Sequence, residues 1–236
     1  MNSEKVKVKK RVRNEGRPGY KKTKVGWIPE EWEGRYLLQT GCKVIDGDRG
    51  KEYPKQHEFG LAGHCLFLNA GNVTKEGFRF LDCHFITKEK DSKLRKGKLK
   101  RGDIVITTRG TVGSFALYNE KIEFDHIRIN SGMAIIRTRT NNTNILHTFL
   151  YTLLRSHIIE KQIKRIVFGS AQPQLTIGLI NRFYLSLPPL PEQKKIAEIL
   201  SAWDRAVEQV GRLIDAKQRL KKGLMQQLLT GRIWFP

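Results

Sequence analysis

The sequence predicts an α+β protein, a strand-rich domain followed by a long C-terminal coiled-coil helix. Two patterns lead there. Between about Gly26 and Leu187, short apolar runs alternate with Gly, Asn and Asp, which is how many short strands read in sequence. From Ile196 to Leu228, residues of one face recur every 3.5 positions, the period of a coiled-coil seam. The charge bears on the partner instead. Lys and Arg number 44 against 23 Asp and Glu, a net +21 over 236 residues, so the expected partner is a polyanion. A hydrophobic content of 39% suffices for a buried core and excludes a wholly disordered chain.

Residues 1–25 carry ten Lys/Arg and two acids with few apolar side chains, which predicts a basic flexible arm. Residues 26–187 form the predicted folded domain. Its strands are expected at Cys65–Leu68, Phe80–Ile86, Asp103–Thr108, Ser114–Tyr118 and Gly132–Arg137. The glycines of Arg109-Gly-Thr-Val-Gly113 mark a tight turn between the third and fourth. Lys88 to Arg101 holds eight cations and two acids, a solvated loop suited to phosphate contact. Residues 144–166 switch to helical spacing through Ile145, Phe149, Leu153 or Leu154, Ile158 and Ile159, with Gly169 as the stop.

Residues 188–236 read as a Pro-rich linker and a long spacer or dimerisation helix. Its seam is Ile196, Leu200, Trp203, Val207, Val210, Ile214, Lys217, Lys221, Leu224 and Leu228. Only the two lysines are polar. A second row, Ile199, Ala206, Leu213 and Leu220, widens the stripe. Taken as Glu192–Leu229, the helix is about 57 Å long at 1.5 Å per residue, so it must project from a domain of this size. An ordinary amphipathic core helix shows a similar stripe, but not at this length without a break.

Catalytic motifs are weak. Phe59-Gly-Leu-Ala-Gly63 lacks the strand and acid that a methyltransferase glycine loop needs, and Thr108–Ser114 lacks the Gly-Lys-Ser/Thr of a phosphate loop. His64–Cys65 and Cys83–His84 are adjacent pairs that strands would point to opposite faces, a poor zinc geometry, so no metal is expected. No apolar run is long enough to span a membrane, and no apolar core follows the basic N-terminus as in a secretory signal. Three cysteines without paired spacing fit reduced thiols, so a cytoplasmic protein without catalysis of its own is expected.

Two stretches are more specific. Pro188-Pro-Leu-Pro-Glu-Gln-Lys-Lys-Ile-Ala-Glu-Ile-Leu200 and Gly223-Leu-Met-Gln-Gln-Leu-Leu-Thr-Gly-Arg-Ile233 closely resemble the specificity (S) subunit of type I restriction–modification enzymes. Gly26-Trp-Ile-Pro-Glu-Glu-Trp32, Asp103–Gly113 and Gly169-Ser-Ala-Gln-Pro-Gln-Leu175 are similar to landmarks of its target-recognition domain. The resemblance implies a non-catalytic protein of two recognition domains, each reading half of a bipartite site in double-stranded DNA. It also implies two helices that hold them apart and dock methyltransferase (M) subunits carrying S-adenosylmethionine and, through them, the restriction (R) subunit. This sequence shows one domain and one helix without internal repeat, half of that plan. A homodimer would restore the pair; so would pairing with another S chain. No cofactor is expected on the chain itself. A nuclease or methyltransferase fragment and an RNA-binding module are the rival classes.

Base edges are read by Arg, Asn, Gln, Ser and Thr. Such residues cluster where the predicted strands end: Asn69, Asn72, Thr107, Thr108, Arg109, Thr111, Asn130, Ser131, Ser170, Gln172 and Gln174. Turn chemistry also favours Asn and Ser, but not Gln, and Arg109 stands out because the adjacent glycine lets backbone approach a duplex.

Overall fold

The computed structural model describes residues 17–138, 144–168 and 172–233. The described residues open with a hairpin, β1 (Tyr20–Thr23) and β2 (Gly26–Pro29), turned through Lys24–Val25 and pinned by buried Ile28. The flexible arm expected over residues 1–25 does not hold for Tyr20–Thr23, which form a strand. Pairing with Gly26–Pro29 satisfies their backbone, and Gly26 supplies the positive φ (111°) that the turn requires. Residues 1–16 of the arm lie outside the described residues.

There follow β3 (Glu33–Tyr36), β4 (Lys43–Asp46), β5 (Cys65–Phe67), β6 (Val73–Thr74), β7 (Gly77–Phe78) and β8 (His84–Ile86). Next come α1 (Lys88–Lys93), β9 (Ile104–Thr107), β10 (Phe115–Leu117), β11 (Ile127–Arg128) and β12 (Met133–Arg137). The chain ends in α2 (His147–Leu154), α3 (His157–Val167), α4 (Ile177–Asn181), β13 (Tyr184–Leu187) and α5 (Leu190–Leu229). All five expected strands are present, though the second keeps only His84–Ile86. The Asp82 carbonyl there accepts from the Asn69 and Asn72 amides instead of joining a ladder. The single helix expected over 144–166 is two. Ser156 leaves the helical region (ψ 158°) and its amide returns to the Leu153 carbonyl, so α3 starts in a new direction. Gly169 lies outside the described residues.

The architecture is three layers. The central sheet has the order β10-β9-β12-β4 and buries both faces. Ile104, Ile106, Ala134 and Ile136 point toward a helical layer containing Leu150, Leu154, Ile159 and Ile163. The alternate residues Val105, Met133 and Ile135 face Leu66 and Ile127 of a second sheet, β11-β5-β8. A buried ion cluster closes the edge of that layer. Arg128 and Asp91, 5% and 4% exposed, bond to each other, and Lys98 bonds the same carboxylate.

Strand β13 pairs antiparallel with β3, and α5 starts after two intervening residues. The expected Pro-rich linker therefore shrinks to Pro188–Pro189. Helix amides of the first turn have no partner, so Pro191 costs nothing there. The root of α5 is locked to the domain by one buried side chain. Gln193 Oε1 accepts from the Leu146 amide (3.0 Å), while Nε2 donates to the Asn144 (2.8 Å) and Pro188 (2.9 Å) carbonyls. Ala197 is buried in the core, Trp32 Nε1 donates to Glu192 (3.0 Å), and Arg155 pairs with Asp204 (3.5 Å). Past Asp204 every described residue except Ala206 and Gly223 is exposed. The helix is about 60 Å long over its 40 residues, and the part past Asp204, about 38 Å, leaves the body.

Candidate nucleic-acid interface

Strand direction gathers the polar ends of the sheets. β12 is antiparallel to both β4 and β9, so the C-terminal ends of β4 and β9 meet its start. β11 enters β12 through Ile129–Gly132, and β5 runs parallel beside β11, which adds two more C-terminal ends. Hydrogen bonds stitch these turns together. The amides of Thr108 (2.7 Å) and Arg109 (3.3 Å) donate to the Gly132 carbonyl, and the Leu175 amide donates to the Thr108 carbonyl (3.0 Å). Gly110 and Gly113 take φ of +70° and +86°, which lets the Arg109 turn fold this tightly.

The expected site residues separate into two groups. Arg109, Thr111, Gln172 and Gln174 are exposed at this end, with Asn130 and Ser131 half-buried beside them. The Arg109 side chain has no hydrogen bond or ion pair among the described residues, whereas the Asn130 Oδ1 accepts from the Gly132 amide (2.8 Å). The other group builds the turns. Asn72 is 1% exposed and its amide is fully used, accepting from the Asn69 amide (2.8 Å) and donating to the Arg79 (3.0 Å) and Asp82 (2.9 Å) carbonyls. Thr107 is 1% exposed; its hydroxyl donates to the Thr111 carbonyl and accepts from the Ser114 amide. Thr108 is also buried. The expectation of base contact fails at Asn72 and Thr107, whose polar groups are buried and already bonded, and at Thr108 through burial alone, its hydroxyl having no partner among the described residues. Asn69 caps a short turn through the Gly71 amide (2.8 Å). Ser170 lies outside the described residues.

The basic stretch Lys88–Arg101 is partly spent inside the protein. Lys90 pairs with Glu58 (2.9 Å), Lys98 with Asp91, and Arg101 with Asp125 (3.1 Å). Buried Asp48 ties this stretch to the Asp46–Gly50 loop: its carboxylate accepts from the amides of Gly50 (2.9 Å) and Arg95 (2.8 Å). The Gly50 bond foremost, joined by the Arg95 and Lys96 amides, holds this carboxyl below its usual range against the opposing effect of burial.

A family model described as the type I restriction modification DNA specificity domain matches residues 29–218. The chain belongs to this family. It is 30% identical to the putative type I restriction enzyme MjaX specificity subunit of Methanocaldococcus jannaschii over 217 residues, 89% of this chain and 48% of that protein. It is likewise 30% identical to the MjaVIII specificity subunit of the same organism, over 91% of this chain and 49% of that one. The specificity domain thus spans about half the length of these relatives. The HsdS subunit from Thermoanaerobacter tengcongensis has a similar fold, with TM-score 0.55, 20% identity, and coverage of 85% of this chain and 45% of that one. The S subunit from M. genitalium aligns with TM-score 0.57 at 15% identity, over 84% of this chain and 46% of that one.

A further arginine, absent from the expected site residues, lies at this sheet end. Arg49 is exposed at the same sheet end, its guanidinium donating to Asp46 (3.1 Å) and to the Ser131 carbonyl (3.2 Å). Asp46-Gly-Asp-Arg-Gly50 was the available signal, a polar glycine turn like that of Arg109. Among the described residues, no helix is long and apolar enough to cross a membrane. The three cysteines are unpaired thiols, and burial pushes the Cys65 thiol up to about 12.

Proposed function

We propose that this chain reads one half of a bipartite duplex DNA site for a type I restriction–modification assembly, and that α5 pairs it with a second copy. The observation that supports this most is the convergence of Arg109, Thr111, Gln172 and Gln174 on one end of the central sheet. β12 runs from that end toward Asn144 and the root of α5, so the reading surface and the spacer helix occupy opposite ends of one rigid sheet. Arg109, with Arg49 nearby, contacts base edges, and the exposed lysines of Lys88–Arg101 contact phosphates. M subunits, bearing S-adenosylmethionine, dock along the paired helices and bring the R subunit with them. The chain itself performs no chemistry and binds no cofactor.

The half-length match to the relatives also fits a pairing with a different S chain. A mixed pair would read two unlike half-sites, which site selection separates from a homodimer.

Arg109→Ala is expected to cost about 1–3 kcal/mol on a specific duplex while leaving random duplex nearly unaffected. Fluorescence anisotropy at matched salt measures both. Equal loss on the two duplexes would make Arg109 a phosphate contact and remove the central base reader from this account.

A further inference from the structure

We propose that the segment following α5, Arg232 to Pro236, docks into the cleft at the root of α5 of a second copy. This rests on the homodimer reading above and adds an interface that the helical seam does not contain.

The cleft has a volume of about 540 Å³ and lies where β13 gives way to α5. Ile145, Leu187, Pro188 and Leu190 supply apolar walls, and Glu31 stands at the rim. Glu31 is exposed and has no hydrogen-bond or ion-pair partner among the described residues, whereas neighbouring Glu33 already holds Arg35 (2.7 Å). The site thus offers apolar surface beside one uncommitted carboxylate.

The tip of α5 carries the complement. Gly231, at φ +66°, ends the helix, and the amides of Arg232 (2.9 Å) and Ile233 (3.2 Å) return to the Gln227 carbonyl. That turn leaves Leu229 81% and Ile233 41% exposed, and Arg232 without an ion pair among the described residues. The sequence then continues Trp234-Phe235-Pro236, two large apolar side chains immediately after Arg232-Ile233.

A chain cannot fill its own cleft, because 40 helical residues separate root from tip by about 60 Å. A second copy can. The seam is near-symmetric about Val210: an antiparallel pair centred there sets Ile196 against Leu224 and Trp203 against Lys217, with Val207 close to Ile214. The same centre places Lys222 opposite Glu198, opposite charges across the pair. It also brings Thr230–Gly231 of one helix to Pro189–Leu190 of the other, so the segment beyond Gly231 arrives at the cleft, where Arg232 meets Glu31 and the aromatic residues meet the apolar walls.

The test mixes two chains, Glu31→Cys and Ile233→Cys, each in a Cys83→Ser background that leaves only the buried native thiols, and pairs oxidation with sedimentation. A disulfide-linked dimer forming only in the mixture is expected. Removing residues 232–236 should weaken the dimer by on the order of tenfold, the effect of losing one buried aromatic anchor. Glu31→Arg should weaken it as well, and adding Arg232→Glu should restore it. A parent that sediments as a dimer but gives no mixed cross-link, and keeps its dissociation constant without residues 232–236, overturns the docking and leaves the cleft to another protein such as an M subunit. A parent that stays monomeric at micromolar concentration overturns the docking together with the homodimer.

Discussion

A chain carrying Val207→Glu and Val210→Glu is expected to sediment as a monomer at concentrations where the parent is a dimer, with its melting temperature in the monomeric state unchanged. Both valines stand free of the body, 70% and 56% exposed in the single chain, so the substitutions touch no core contact of the fold. In the proposed antiparallel pair they would sit at the two-fold axis, where Val210 would meet its own copy and Val207 would lie close to Ile214. A contiguous apolar stripe along a projecting helix is not stable in water on its own. Burying an aliphatic side chain is worth roughly 1.5–3 kcal/mol, so four valines at the axis contribute at least about 6 kcal/mol, or ~10⁴-fold in dissociation constant. Glutamates in their place add mutual repulsion. Sedimentation equilibrium reads the assembly and circular dichroism the fold; a double variant as dimeric as its parent places the seam elsewhere. Ile196, by contrast, belongs to the predicted seam but is half-buried against the chain's own core. A change there would confuse folding with pairing.

Asp91→Ala is expected to destabilise the domain by about 3–5 kcal/mol, the cost of stranding a buried charge. The stranded group is the Arg128 guanidinium, 5% exposed, whose remaining bonds run only to the carbonyls of Lys96 (2.6 Å), Asp91 (2.8 Å) and Leu94 (2.9 Å). Burial alone would push the Asp91 carboxyl up, but hydrogen bonds and charge from Lys98 and Arg128 together hold it below its usual value. A carboxyl lowered in the folded state stabilises fully above its unfolded pKa, near about 3.9. That contribution disappears as pH falls through the lower folded value. Urea unfolding should therefore show a steep acid loss of stability in the parent and a shallower one in Asp91→Ala. Identical pH slopes would remove Asp91 as the source, and replacing Asp91 and Arg128 together with leucine should recover much of the loss at neutral pH.

Apolar pattern makes part of this fold readable without its structure. Ile104-Val-Ile-Thr and Met133-Ala-Ile-Ile are buried on both faces, so they read as continuous apolar runs and lie where strands are expected. The tail of α5 is legible for the opposite reason, since its stripe is exposed among the described residues of the same chain. Glu33-Gly-Arg-Tyr reads as a polar loop, and it is a strand only because β13, 148 residues or more away in sequence, lies beside it. Likewise Arg128 has the residue type of a base reader and Gln193 that of a surface residue. Both are instead internal staples, because residue type says what a side chain can bond and only tertiary structure says what it does bond. At the interface, the exposed Arg109 and the buried Thr107 sit two residues apart on one turn, a distinction that sequence spacing does not carry.

The central claim, that two copies of one reading surface are held at fixed separation by α5, is tested most directly by selecting bound duplexes from random DNA with the purified chain and sequencing the enriched pool. Identical surfaces related by a two-fold axis read identical bases in inverted orientation, and a rigid helix of about 60 Å exceeds the 34–36 Å repeat of one duplex face. An inverted repeat of two identical half-sites, separated by a spacer of constant length and free sequence, is expected. Enrichment of an asymmetric site, or of half-sites at variable spacing, would contradict it.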